Sequence, residues 1–209
     1  MGIWWWITMA SKDIRLDHKI IYSFIDPGSR VLDLGCGEGD LLYLLVRDKQ
    51  VMAQGIELDD RAIQECVKKG LSVFHDNIES GLREYPDHSF DFVILNQSME
   101  EVKNVDTVIR EALRIGEKVI VGFPNFAYIK ARLMMFFWGR APITESLPYS
   151  WFDTPNVRFL SISDFREFCS DKNIGIIGAH YLGEKGIVRF LPNLMALNAI
   201  FVLTKGDTN

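Results

Sequence analysis

Cysteine is scarce in this chain: Cys36, Cys66 and Cys169 are its only three. An odd number at wide spacing argues against a disulfide framework and against a zinc site, and it fits a reduced, cytoplasmic chain. A long hydrophobic run is missing as well. The apolar burst in "MGIWWWITMASKD" at the start falls short of the roughly 20 residues a bilayer demands. No basic residue precedes it, so it lacks the charged leader of a signal peptide. It reads as an interfacial or packing tail or, the reading we favour, as residues upstream of a natural start at Met9; residues 1–12 are set apart as a tail. Positive charge is in deficit too. A net charge of -5 leaves no electrostatic footprint for nucleic acid, and the short run "VKKG" reads as solvated helix surface. Internal repeats and low-complexity segments are absent.

What remains is an ordinary globular composition, 48% hydrophobic and 24% charged over 209 residues, enough for one sizeable core. Residues 13–25, "DIRLDHKIIYSFI", carry apolar side chains near helical spacing, and "DPGS" breaks that helix. Strands and helices then alternate. "RVLDL", "VMAQGIEL", "LSVFHD", "SFDFVILNQ" and "EKVIVGFP" read as strands; "GDLLYLLVRDK", "DDRAIQECVKKG" and "VDTVIREALRIG" read as the helices between them. Uninterrupted apolar strands separated by helices predict a parallel sheet covered on both faces, and right-handed crossovers make it a doubly wound α/β domain. The pattern changes after Pro124. "NFAYIKARLMMFFWGR" reads as an apolar helix, more often core than interface, although its Met and aromatic content suits an interface. Residues 139–160 form a long irregular segment stiffened by Pro142, Pro148 and Pro155, of the kind that is usually functional. The helix "SDFREFCSDKN" and two strands, "IGIIGAHYL" and "LMALNAIFVLTK", close the chain, the strands pairing antiparallel at the sheet edge. The expected organisation is a single domain over 13–209, mostly parallel and seven-stranded, with a lid or partner-binding insertion at about 125–160.

The first strand–loop–helix unit carries Gly35-Cys36-Gly37-Glu38-Gly39-Asp40. In an open α/β sheet, ligands bind beyond the carboxyl ends of the strands. A dinucleotide fingerprint, G-x-G-x-x-G, needs its third glycine where this chain has Asp40. Glu38 and Asp40 also place negative charge where a pyrophosphate would sit. A ligand without phosphates fits better, which leaves a nicotinamide oxidoreductase a poor third choice. Glu57 follows about 20 residues after the glycines, the usual position of an acid that accepts ribose hydroxyls. Asp76, at the end of the third strand, suits the exocyclic amine of an adenine. Adenosine without phosphate among acidic groups suggests a cationic nucleoside such as S-adenosylmethionine.

"VLDLGCGEG", "GIELD" and "HDNI" resemble, in order and spacing, the nucleotide half of the class I S-adenosylmethionine-dependent methyltransferases. That resemblance implies roles for Asp33, Gly35, Cys36, Gly37 and Gly39 around the methionine moiety. It implies Glu57 and Leu58 at the ribose, Asp76, Asn77 and Ile78 at the adenine, and Asn96 and Gln97 after strand four. The cofactor would be S-adenosylmethionine or S-adenosylhomocysteine. From about residue 13 to about residue 183, "PGSRVLDLGCGEGDLL", "SFDFVILNQSME", "VGFPNFAYIKARL" and "GRAPITESLPYSWFDTPNVRFLSISDF" together resemble the MetW family of methionine-biosynthesis proteins. The last block is far more specific than the glycine loop. The family resemblance implies a link to homoserine O-acyltransferase, as a partner of that enzyme. The family pattern has a histidine where this chain has Arg158; if that histidine were a base, this chain would lack it.

Methyl transfer needs an acceptor at near-attack distance, exclusion of water and a proton acceptor. None of His18, His75, His88 and His180 sits where the expected fold would deliver an acceptor, so catalytic residues stay unassigned, and no metal site is expected. Phe123, Asn125, Tyr149, Trp151, Asp153, Asn156 and Arg158 are the substrate or partner candidates. They would wall a small acidic substrate, with Arg158 on its carboxylate, or form a structural lid or partner surface. Two functions compete: a weakly catalytic or non-catalytic S-adenosylmethionine-binding subunit of homoserine O-acyltransferase, and an active methyltransferase on an unknown small molecule.

Overall fold

Apolar side chains alternate along each central strand, and that period of two builds separate cores on the two faces of one sheet. The computed structural model describes residues 14–206; the tail expected at 1–12 lies outside the described residues. The parallel strands are β1 (Arg30–Leu34), β2 (Met52–Glu57), β3 (Val73–His75), β4 (Phe90–Asn96) and β5 (Gly116–Pro124). Leu32, Leu34, Val93, Leu95, Val119, Val121 and Phe123 face one core. Helices α5 (Val105–Ile115) and α7 (Ile162–Asp171) cover it, through Ile109, Ala112, Phe165 and Cys169. Val31, Phe92, Ile94 and Ile120 face the other core, beneath α1 (Leu16–Phe24), α2 (Asp40–Lys49) and Cys66 of α3 (Asp60–Lys68).

The sheet order is β3-β2-β1-β4-β5-β8-β6-β7. β6 (Ile174–Gly183) and β8 (Asn198–Lys205) are antiparallel, as expected of the last two long strands. The sheet has eight strands rather than seven, because the link after β6 folds back as β7 (Gly186–Ile187) and adds a two-residue pairing. Short helical turns, α4 (Ile78–Gly81) and α8 (Pro192–Met195), precede β4 and β8. Strand order reverses between β1 and β4, so the crevice beyond their carboxyl ends is the binding position.

Local signals mark several helix starts. Asp59 Oδ1 accepts from the Arg61 and Ala62 amides and caps α3. Ser161 and Asp164 form a reciprocal capping box at α7. Helix α6 (Ile129–Trp138) starts later than the apolar pattern predicts, because Asn125 is buried in a turn. The reading of α6 as core is corrected: Ala131 alone is buried, while Phe136 is 81% and Trp138 67% exposed. No helix among the described residues is long and apolar enough to cross a membrane.

Phe123 and Asn125 also depart from the expected substrate wall. Phe123 is fully buried, its ring centroid 4.9 Å from that of Phe165 and 5.9 Å from that of Phe201. It ends a strand on the face that packs against α7, so the pleat turns it inward. Asn125 is buried and donates to the carbonyls of Ala196 (2.9 Å) and Asn193 (3.1 Å), tying the end of β5 to the approach to β8. We expect Phe123→Ala to lower the unfolding free energy by about 3–5 kcal/mol. Urea denaturation checks this, and a loss below about 1 kcal/mol would contradict the core placement.

Candidate nucleotide-binding site

The glycine loop turns back on itself through three left-handed residues, Gly35, Gly37 and Gly39, at φ +75°, +54° and +76°. A Cβ at Gly35 would stand 2.6 Å from that of Ser98, and one at Gly39 2.5 Å from Leu71 Cδ1. Those two glycines allow close packing; Gly37 meets nothing within 4 Å and borders open space. The Gly35 amide donates to the Ile56 carbonyl at 2.8 Å, and Ser98 Oγ donates to the Leu34 carbonyl at 2.6 Å. The loop is thus anchored to β2 on one side and to the turn after β4 on the other.

Glu57 completes the anchor. Its Oε2 accepts from the Gly37 amide at 2.8 Å, and its Oε1 accepts from the amides of Leu58 (2.7 Å) and Asp59 (3.0 Å). Leu58 itself is exposed, so its backbone rather than its side chain organises this corner. Asp33, Gly35, Cys36, Gly37, Asn96 and Gln97 line one cavity of about 340 Å³ with Arg15, His18, Glu38, Asp40 and Leu41. Asp33 is buried there; burial, reinforced by the charge of Glu57, pushes its carboxyl up to about 7. Burial likewise pushes the Cys36 thiol up, so it is no thiolate nucleophile. Asp40 opens α2 and pairs with Lys69 at 2.5 Å, keeping a carboxylate where a pyrophosphate would need the helix terminus.

Asp76, Asn77 and Ile78 sit beyond β3, at the rim. Asp76 Oδ1 accepts from the Asn77 amide, and Asn77 caps α4 by accepting from the Glu79 amide at 2.9 Å. This leaves Asp76 and Asn77 exposed, outside the residues that line the loop cavity.

The sequence reading missed the start of α1. Asp17 is 6% exposed and accepts from Asn96 Nδ2 (2.9 Å), Gln97 Nε2 (3.3 Å) and the Arg15 guanidinium (2.6 Å). Burial opposes its charge, but the Asn96 bond and the positive Arg15 outweigh that and hold the carboxyl below its usual value. His18, set aside in the sequence as remote, lines the same cavity because α1 runs over the mouth of the loop. Burial lowers its pKa against the pull of Asp17, so it favours the neutral imidazole. Nothing local in "RLDH" marks these residues as functional; only the docking of α1 does.

A second cavity, of about 500 Å³, shares Arg15 and Gln97 with the first. Tyr149 and Asn156 line it. They also line an apolar cleft beside α6, together with Trp151, and Asp153 is exposed at a turn. Arg158 is corrected as a carboxylate clamp: its guanidinium donates to the carbonyls of Val102 (2.9 Å) and Lys103 and pins the segment to the turn after β4. Glu100, 3% exposed, also lines this cavity; burial pushes its carboxyl up to about 7 against the bond from its own amide. Among the described residues no cluster of His, Cys, Asp and Glu suits a metal ion.

A doubly wound sheet of this order, with its glycine loop at the switch point, defines a methyltransferase-type α/β fold. An S-adenosylmethionine-dependent methyltransferase from Archaeoglobus fulgidus superposes with a TM-score of 0.67 at 13% identity, covering 91% of each chain. The [4+2]-cyclase SpnF superposes at 0.65 and 16% identity, over 91% of this chain and 81% of that one. One fold thus carries different named activities, and likeness at this level shows the fold alone. The model of "Methionine biosynthesis protein MetW" matches residues 15–203, so the chain belongs to the MetW family. A bifunctional methionine biosynthesis protein MetXA/MetW from Rhodopirellula baltica is 34% identical over 173 residues, 78% of this chain and 28% of that protein. The chain therefore spans less than a third of that relative's length.

Asp33 and Glu100 keep their protons to about pH 7 in the folded chain, whereas unfolded carboxyls ionise near pH 4. Between those limits the folded state binds more protons, so this stabilisation is complete below about pH 4 and is lost as pH rises through about 7. Asp48, Asp87 and Asp91, held low by arginine partners, and His18 and His180, whose pKa values burial lowers, act in the opposite sense on the acid side of neutrality. Asp33→Asn removes one of the raised groups, so between about pH 4 and 7 its melting temperature is expected to fall less, or rise more, with pH than that of the wild-type chain. Thermal melts of the two proteins across this interval check it, and an unchanged pH dependence in the variant would contradict it.

Proposed function

We propose that the loop cavity binds S-adenosylmethionine or S-adenosylhomocysteine, and that the chain acts as a regulatory partner of homoserine O-acyltransferase. The observation carrying the first half is the Glu57 clamp on the Gly37 amide at 2.8 Å. It holds a carboxylate, the one the family resemblance assigns to the ribose, beside a loop whose helix terminus carries Asp40 rather than a phosphate cradle. The partnership is supported by the relative whose name joins MetXA to MetW in one protein. S-adenosylmethionine derives from the pathway's product, so its occupancy would report pathway status to the acyltransferase as a coupling between two sites. The exposed Phe136, Phe137 and Trp138 of α6, with Trp151 and Phe152 across the neighbouring cleft, suit the docking face.

Active methyl transfer to a small molecule is the second reading. It is favoured by the second cavity, which shares a wall with the first and can deliver an acceptor. Asp33 and the glycine loop would lie along the methionyl moiety, while Arg15 and Gln97 separate donor from acceptor.

Calorimetry should show binding of S-adenosylmethionine or S-adenosylhomocysteine and none of NAD. Glu57→Gln should weaken it about tenfold or more, because it removes a charged acceptor; unchanged affinity sinks the ribose assignment. Homoserine O-acyltransferase should co-elute with the chain at micromolar concentration, and Phe137→Ser with Trp138→Ser should abolish co-elution. If the wild-type chain leaves both the elution and the acylation rate of that enzyme unchanged, the partnership fails. Methyl label arriving on a metabolite in an extract would instead support the second reading.

A further inference from the structure

The second cavity contains an unbalanced set of polar groups. It is bounded by the start of α1, the turn after β4, the 145–156 segment and the ends of β6 and β8. Two enclosed acceptors of residues on its wall, Glu100 Oε2 and Asn198 Oδ1, have no hydrogen-bond partner among the described residues. Buried acceptors are almost always satisfied, and an unpaired one costs about 1–3 kcal/mol, more if charged. The cavity's charge leans the same way. Asp17, Glu100, Glu101 and Glu145 line it, with Arg15 the only cation among the described residues. Arg15 is already spent on Asp17, with contacts of 2.6 and 3.1 Å. The remaining wall is largely apolar: Leu16, Pro148, Pro155, Leu182 and Leu197.

Orphan acceptors beside uncompensated carboxylates ask for a ligand rich in donors and positively charged. An ammonium supplies three N–H donors and no acceptor. A carboxylate ligand, which the sequence suggested, would meet Glu100 and Glu101 as like charges. A divalent metal is disfavoured, since the described residues include no ligating cluster. We propose that this cavity is a binding site for a small organic amine, with its ammonium on Glu100 and a further N–H or O–H donor on Asn198. This goes beyond the function proposed above and does not require S-adenosylmethionine in the first cavity.

Glu100 serves this role without holding the fold by its carboxylate. Its backbone carbonyl accepts the amides of Val157 (3.0 Å) and Arg158 (3.1 Å), and a glutamine would keep both bonds. The carboxyl is close to its midpoint near neutrality, so an arriving ammonium can draw it into the charged form.

The probes are 4-aminobutanol, 1,4-butanediol and 4-hydroxybutyrate, three molecules of similar size that differ in charge. Saturation-transfer NMR on the full chain at about pH 8, without S-adenosylmethionine, reads their binding. The amine should bind at least about tenfold tighter than the diol, with no binding of the carboxylate; tenfold is the least a charged hydrogen bond contributes. Glu100→Gln should erase the preference for the amine, and Asn198→Ala should weaken the amine while keeping the preference. Equal binding of amine and diol, or full preference retained in Glu100→Gln, overturns the proposal. The wild-type comparison stands even if a variant fails to fold. Glu57→Gln should leave the amine untouched, so failure of nucleotide binding and failure of amine binding are read separately.

Discussion

The carboxylate of Asp17 holds together the carboxyl end of the sheet. It sits buried under the start of α1 and gathers Asn96, Gln97 and Arg15 around it. Asn96 and Gln97 leave β4 at the reversal of strand order, so the bond draws α1 across the crevice that the topology opens. The two cavities exist as separate spaces because this junction stands between them. The cost of burying Asp17 is offset by neighbours that donate to its charged form, whose net effect lowers its pKa. Asp33 and Glu100, on either side, are pushed the other way, because burial outweighs what little favours their charged forms. Three carboxyls at one sheet end thus have different protonation behaviour, set by what each one faces.

The glycine loop depends on the same end of the sheet by another route. Glu57 holds the Gly37 amide, and Ser98 supports Gly35 from below. The loop is shaped by backbone donors turned toward a carboxylate, the opposite of a phosphate cradle, in which backbone donors are left for the ligand. The acidic start of α2 points the same way. Two independent positions of this chain, Glu57 and Asp40, thus put a carboxylate where a pyrophosphate cradle would offer free backbone donors.

The insertion between β5 and α7 serves several purposes. Arg158 fastens it to the turn after β4, and Tyr149 and Asn156 roof the acidic cavity. Trp151 turns instead toward α6. Helix α6 carries apolar groups on nearly every side yet buries little among the described residues. An expectation of core from composition failed there because hydrophobicity reports that a side chain avoids water, without reporting what covers it. Phe123 failed in the reverse direction. Its position after an apolar strand suggested a site, but the pleat places it beside Phe165 and Phe201.

Local pattern was enough for the doubly wound sheet, its antiparallel edge, the glycine loop and the likeness to the MetW family. Strand period, helix caps and loop glycines act over a few residues, so their consequences are written where they occur. The eighth strand escaped because a two-residue pairing leaves no periodic trace. Asp17, His18, Glu100 and Asn198 escaped for a stronger reason: each gains its meaning from a neighbour far away in the chain. Asp17 meets Asn96 across 79 positions, and Glu100 shares a cavity wall with Asn198 only once β8 lies beside β5. The sequence by itself determined the glycine loop and the acidic residues around it. Tertiary packing alone decided the sign of the neighbouring cavity, because charge in an enclosed space depends on which carboxylates the fold brings together and which it leaves unpaired.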